Sequence, residues 1–280
     1  MGSRVARAGA ALICVAGLLS FAAAGAAANG PRAKASVVGG TPASLTDWGF
    51  TAAVLTPHTL CTGSVLSPTK VLTAAHCLSS PSTMTVRTNS TSAFIGGEVH
   101  TVTAAATNPG WNHGFLGDLA VLTLGTPTSA PSIQLASPTE DSALTAPGAA
   151  VSVAGFGARS PAPRRKPKIG PLTAATVFVR GFCLLPTSLL CDAGGKSGLV
   201  AISKFKGRVH KRPIKRTVCA GDSGGPMVAA SPAGPRLVGV AEATSAPPKH
   251  SAFGFVWCGL KGFPAIHTRT ATWLGFIDGT

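Results

Sequence analysis

Leu119-Ala120-Val121-Leu122-Thr123-Leu124 is an apolar run of six residues, too short for a helix of ordinary length and stopped by glycine on its far side. A run of this size with β-branched content reads as a buried strand. The residue before it is Asp118, and an acid entering a buried strand must find a partner, for which a histidine N–H is suitable. The same kind of short run recurs along the chain at Gly63–Leu66, Lys70–Thr73, Ala150–Ala154, Thr176–Val179 and Arg236–Ala241, with Gly, Pro, Ser and Thr between. Before the last ten residues few stretches carry a 3.6-residue apolar stripe. Repeated short strands over residues 37–280 predict an all-β architecture, as two barrels or sandwiches. No internal sequence repeat is visible.

The chain has 280 residues, with 24 Lys and Arg against 9 Asp and Glu, a formal charge of +15. Its hydrophobic fraction of 45% can furnish a core, whereas its charged fraction of 12% is low beside the roughly 25% of soluble domains. Such a composition favours strands and tight turns over salt-bridged helices. The positive charge is concentrated: 14 Lys or Arg and a single acid, Asp192, lie between Arg159 and Arg216. Arg164-Arg165-Lys166-Pro167-Lys168 is one patch. The run from Lys204 to Arg216 is the other. Two solvated loops are the simpler reading; attraction to polyanions such as cell-wall polymers, anionic lipid or nucleic acid is the functional one. Phe205 is the single Phe, Tyr or Trp within the two patches, too little aromatic content for base stacking, so specific nucleic-acid recognition is not expected.

Residues 1–28 read as an export signal, with Arg4 and Arg7, an apolar stretch from about Ala8 to Ala24, and an Ala-x-Ala site at Ala26–Ala28. A second such site lies at Ala33-Lys34-Ala35. A membrane anchor is the competing reading, disfavoured by the small residues that end the stretch. Cys14 falls inside the signal. The other six cysteines, Cys61, Cys77, Cys183, Cys191, Cys219 and Cys258, are an even number in an exported chain and suggest disulfides, of which about 15 pairings are possible. With no CxxC pair, a zinc site is not expected, and neither is any other metal or cofactor.

Three segments carry chemistry. Cys219-Ala220-Gly221-Asp222-Ser223-Gly224-Gly225-Pro226 can form a tight turn that exposes the Ser223 hydroxyl and aims the amides of Gly221 and Ser223 at one point. Leu72-Thr73-Ala74-Ala75-His76-Cys77 sets a histidine at the end of an apolar strand, where a Cys77–Cys61 bridge would pin its backbone. Asp118 is the third piece. Serine acyl transfer needs a hydroxyl, a base, a group orienting that base and donors for the oxyanion.

With Val37-Val38-Gly39-Gly40, Thr73-Ala74-Ala75-His76-Cys77, Asp118-Leu119-Ala120-Val121-Leu122, Gly221-Asp222-Ser223-Gly224-Gly225-Pro226 and a closing Trp273, the chain resembles the chymotrypsin-like (trypsin-like) serine protease family from residue 37 to about 276. The resemblance implies two perpendicular six-stranded antiparallel β-barrels, about 37–148 and 149–270, with a short C-terminal helix. It implies a triad of His76, Asp118 and Ser223, with Gly221 and Ser223 as oxyanion donors. It implies a propeptide at 29–36, whose removal frees the Val37 amine to pair with Asp222. Cys61–Cys77, Cys183–Cys191 and Cys219–Cys258 are the implied bridges, and a secreted monomeric endopeptidase acting on proteins or peptides is the implied function. The family's pocket-floor position falls on Thr217, with Thr244 and Ala265 on the walls, so small or medium apolar side chains are expected at the cleaved bond rather than Lys or Arg.

The chain departs from the family in two places. The stretch 192–218 is long and basic. Glu242 stands where the family's strand carries a serine that contacts the catalytic acid, and an ionised Glu242 would repel Asp118. These departures keep open a protease fold that has lost activity and binds polyanions, or an esterase using the same machinery.

Overall fold

A computed structural model describes residues 2, 37–114, 116–158, 169–180, 189–193, 216–244, 258 and 265–280. Both basic runs, apart from Arg216, lie outside the described residues. So do the export signal (except Gly2), the propeptide segment and Cys183. No helix among the described residues is long and apolar enough to cross a membrane.

The strands are β1 (Thr41–Pro42), β2 (Thr51–Leu55), β3 (Leu60–Ser67), β4 (Lys70–Thr73), β5 (Thr85–Thr88), β6 (Glu98–Thr107), β7 (Ala120–Leu124), β8 (Gln134–Leu135), β9 (Ala150–Gly155), β10 (Thr173–Val179), β11 (Leu189–Ala193), β12 (Pro226–Ser231), β13 (Gly234–Thr244) and β14 (Ala265–Arg269). The helices are short: α1 (Leu45–Trp48), α2 (Pro138–Leu144) and the C-terminal α3 (Leu274–Ile277). Each run expected to be a strand falls in one, the decisive stretch as β7 apart from Leu119, which lies just ahead of it.

Strands β2-β3-β4-β7-β6-β5 close into a barrel. Its core holds Val54, Val65, Leu72, Val86 and Leu122, all fully buried. Each such side chain taken from water contributes about 1.5–3 kcal/mol. The second sheet runs β1-β10-β11-β14-β13-β12-β9, and β9 pairs back onto β10 along six residues, from Thr173↔Gly155 to Phe178↔Ala150. Six antiparallel strands therefore form a second closed ring, with β1 on β10 and β8 parallel to β13 as additions. Closure leaves no long bare edge. Expectation and structure agree on an all-β fold with a closed six-stranded barrel, a second sheet and a short C-terminal helix.

The two halves share packing. Val228, Leu237 and Val240 of the second sheet join the first barrel's apolar cluster. At the start of α2, Ser137 and Glu140 cap each other reciprocally. Buried Asp141 then takes Arg269 at 2.5 Å, tying α2 to β14.

Candidate functional site between the two sheets

β4 ends at Thr73, and the chain turns at once into a single 3-10 turn, Ala75–Cys77. The Cys61–Cys77 disulfide anchors that turn to β3. His76 thus leaves a buried strand on a backbone held at both ends, with its side chain 39% exposed. Asp118 meets it there, buried, just ahead of β7. One carboxylate oxygen, Oδ2, lies 2.5 Å from His76 Nδ1; the other, Oδ1, accepts the His76 backbone N–H at 2.8 Å. β4 and β7 are register partners from Lys70↔Thr123 to Thr73↔Ala120, which is why residues 42 apart in sequence meet.

Ser223 comes from the other sheet, in the turn before β12. Gly221 and Gly224 there have φ of +94° and +81°, a region only glycine enters freely. A Cβ on Gly224 would stand 2.1 Å from Thr73 Oγ1 and 2.2 Å from the Thr62 carbonyl. The bare backbone is what lets the turn reach the first barrel. Thr62 of β3 is the strut: its N–H donates to the Ser223 carbonyl at 2.7 Å, and its hydroxyl donates to the Gly221 carbonyl at 2.8 Å. Ser223's carbonyl oxygen lies 3.8 Å from the Cys77 sulfur, which is itself 3.8 Å from His76 Nε2. The turn carrying the alcohol and the turn carrying the imidazole are therefore neighbours. The Ser223 hydroxyl donates to the Glu242 carbonyl at 3.5 Å in this state, not to His76.

The backbone of this turn has a second property. Asp222 N–H, Gly224 N–H and Gly225 N–H are all used, on the carbonyls of Cys219, Ala241 and Asp222. The amides of Gly221 and Ser223 donate to no group among the described residues. Two free, neighbouring N–H groups beside an alcohol suit a developing oxyanion.

Asp222 is fully buried, its carboxylate accepting Gly157 N–H and Cys219 N–H at 2.8 Å each. Burial pushes the carboxyl up to about 7, with the two amides pulling down. A carboxyl raised in this way binds its proton better folded than unfolded. Its ionisation therefore costs stability as pH rises from the usual carboxylate range towards 7. Val37 is buried too, but its nitrogen donates to Thr173 Oγ1 at 2.6 Å and not to Asp222, so the expected pairing is not formed with Val37 in peptide linkage.

Of the three pocket residues, Thr217 is buried and bridges Val38, with its hydroxyl unpartnered among the described residues. Thr244 and Ala265 are register partners across β13 and β14. The Cys219–Cys258 bridge forms, and packs with Val38 and Ala158. The expected partner of Cys191 lies outside the described residues.

Sequence reasoning missed Thr62, Gly155 and Gly157. A Cβ on Gly155 or Gly157 would stand 2.2 Å or 2.7 Å from an Asp222 carboxylate atom. The Gly-Phe-Gly at the end of β9 was the available signal. Thr62 offers none, since its role arises only against residues some 160 positions away.

Glu242 is 5% exposed and belongs to a bulge in β13: Ala241 pairs with His267 and Ala243 with Ile266, leaving Glu242 unmatched. Its Oε2 accepts the Thr268 hydroxyl at 3.0 Å, and its Oε1 has no partner among the described residues. Burial, then the Asp118 charge, pushes its carboxyl up to about 8, against the pull of Thr268.

Two antiparallel barrels with a serine turn from one set against a histidine–aspartate pair from the other define the double-barrel class of serine peptidases. The family model described as Trypsin matches residues 37–274, and the chain belongs to that family. It is similar to a trypsin of Saccharopolyspora erythraea, 32% identical over 219 residues, covering 73% of this chain and 85% of the relative. It is also similar to trypsin alpha-4 of Lucilia cuprina, at 27% over 256 residues (87% and 88%), and to trypsin alpha of Drosophila erecta, at 26% over 268 residues (89% of each).

Proposed function

We propose that this serine peptidase is a secreted endopeptidase in which His76, Asp118 and Ser223 form the catalytic triad. The observation that carries the reading is the 2.5 Å contact of His76 Nδ1 with buried Asp118, beside a serine turn with two unused amides. His76 takes the Ser223 proton as the hydroxyl attacks the peptide carbonyl, and returns it to the leaving amine. Asp118 holds the tautomer and stabilises the imidazolium. The Gly221 and Ser223 amides receive the oxyanion. Water then hydrolyses the acyl-enzyme by the same route in reverse.

Activation follows from Asp222. A buried carboxylate held by two amides has no cation on it among the described residues, and cleavage behind Ser36 gives Val37 an ammonium group free to move to it. Pairing the two lets Asp222 ionise at neutral pH. Breaking one partner of such a pair costs about 3–5 kcal/mol. Residues 1–28 act as the export signal and 29–36 as the propeptide. The expected outcome with a fluorophosphonate probe is rapid labelling of Ser223 once the chain is cut behind Ser36, slow labelling of the uncut chain and none of Ser223→Ala. Equal labelling of cut wild type and Ser223→Ala sinks the reading.

Specificity rests on Thr217 as an uncharged floor, with Thr244 and Ala265 opposite each other as walls. Small or medium apolar side chains then precede the cleaved bond. Digestion of a random peptide mixture is expected to give cuts after such residues, and frequent cuts after Lys or Arg would overturn the pocket assignment. The site's free amides and buried acid favour this enzyme over an inactive binding module.

A further inference from the structure

Glu242 sits at the centre of the site and is used by no step above. Its carbonyl takes the Ser223 hydroxyl, its residue is bulged out of the β13 register into a buried position, and one carboxyl oxygen is satisfied by Thr268 while the other is unpartnered among the described residues. A buried carboxylate with a single hydroxyl donor among the described residues, within electrostatic reach of the Asp118 carboxylate, is badly placed to hold charge. A carboxylic acid is well placed, because its O–H is a donor and the nearby charge is negative.

We propose that Glu242 works as a neutral, proton-bearing acid whose O–H supports the Asp118 carboxylate, making it a positioning residue that acts on His76 through Asp118. This rests on the triad reading above. The direction of its titration agrees with the geometry, since burial and the Asp118 charge both hold the proton on. Among the described residues, the surrounding charges do not supply an alternative counter-ion. On β14, His267 and Arg269 flank Thr268 and alternate to the opposite face, where Arg269 is bound to Asp141. From the serine turn, Asp222 is held by the Gly157 and Cys219 amides. From the first barrel, His76 is turned to Asp118.

Loss of the Glu242 proton puts two negative charges together, and repulsion displaces Asp118 from the ring it orients. The acid form is the working form. The test compares the full activated chain with Glu242→Gln, which keeps the shape and an N–H donor but cannot ionise. For one group titrating near pH 8, the variant-to-wild-type ratio of kcat/KM is expected to rise about tenfold between pH 7 and pH 9. Any alkaline limb due to Val37 is common to both proteins and cancels in that ratio. A ratio constant with pH overturns the proposal.

A second measurement needs no turnover. Because the folded-state pKa of Glu242 is raised above its ordinary 4.5, wild type loses stability relative to Glu242→Gln as pH climbs from about 4.5 through about 8. The gap between their urea midpoints is expected to widen over that window and then level off. A gap that stays flat from pH 5 to 9 overturns the proposal as surely as a constant kinetic ratio. Hydrolysis by both proteins with flat ratio and gap leaves the peptidase reading standing without Glu242. A wild type that neither labels nor hydrolyses sinks the peptidase reading and Glu242's catalytic role with it, while the stability gap still decides whether the acid is protonated.

Discussion

Replacing Ser223 with alanine is expected to lower kcat on a peptide substrate by about 10⁶-fold while the fold is kept. The size of the loss follows from what the hydroxyl does. Without it no acyl-enzyme forms, and His76 and Asp118 have no alcohol to activate, so the three groups fail as a unit. The unused amides of Gly221 and Ser223 remain, which is why about 10³–10⁴-fold acceleration over water should survive. Stability is another matter. The turn is held by backbone: Thr62 N–H on the Ser223 carbonyl, Gly224 N–H on Ala241, and Asp222 on two amides. The hydroxyl itself has one long contact, 3.5 Å to the Glu242 carbonyl. Steady-state kinetics with a sensitive ester or peptide, beside a thermal melt, separates the two effects. An alanine variant that kept kcat within a hundredfold of wild type would show that the nucleophile is elsewhere.

Asp118→Asn is the second large effect, expected at about 10⁴-fold in kcat with KM little changed. Both oxygens of Asp118 accept hydrogen bonds from one residue, the ring Nδ1 and the backbone N–H of His76. An asparagine keeps one acceptor and replaces the other with a donor. If the amide N–H₂ faces the ring, Nδ1 must become the acceptor, and the proton moves to Nε2, the nitrogen that should receive the serine proton. The imidazolium formed in the transition state also loses its buried counter-charge. The substitution removes the like charge next to Glu242 as well, so the carboxyl there should titrate lower than in wild type, though burial still raises it. Single-turnover kinetics with an activated ester, together with the pH dependence of the residual rate, would check both parts. An Asn variant retaining a tenth of wild-type kcat would contradict the assigned role of Asp118.

Much of this was readable in the chain because the signals are local. A strand such as β7 declares itself in six residues, since length, β-branching and flanking turns all lie within it. The Gly-Asp-Ser-Gly-Gly-Pro turn does the same: the glycines that permit positive φ are adjacent to the serine they expose. His76 and its bridge span only 16 residues between Cys61 and Cys77. Asp118 was marked as an acid in need of a partner by its place ahead of a buried run.

Other features exist only once distant strands are paired. Thr62 is an ordinary strand threonine until folding sets it against Gly221 and Ser223, 159 and 161 positions on. The ring formed by β9, β10, β11, β14, β13 and β12 needs β9 to meet both β10 and β12, which no local pattern encodes. Asp222 is one acid among nine until burial takes its water away and leaves two amides in exchange. For Glu242 the chain alone posed a conflict with Asp118. Only the bulge that buries it, with Thr268 on one oxygen and no donor among the described residues on the other, decides that a proton resolves that conflict, because desolvation and like charge depend on neighbours that sequence distance does not reveal.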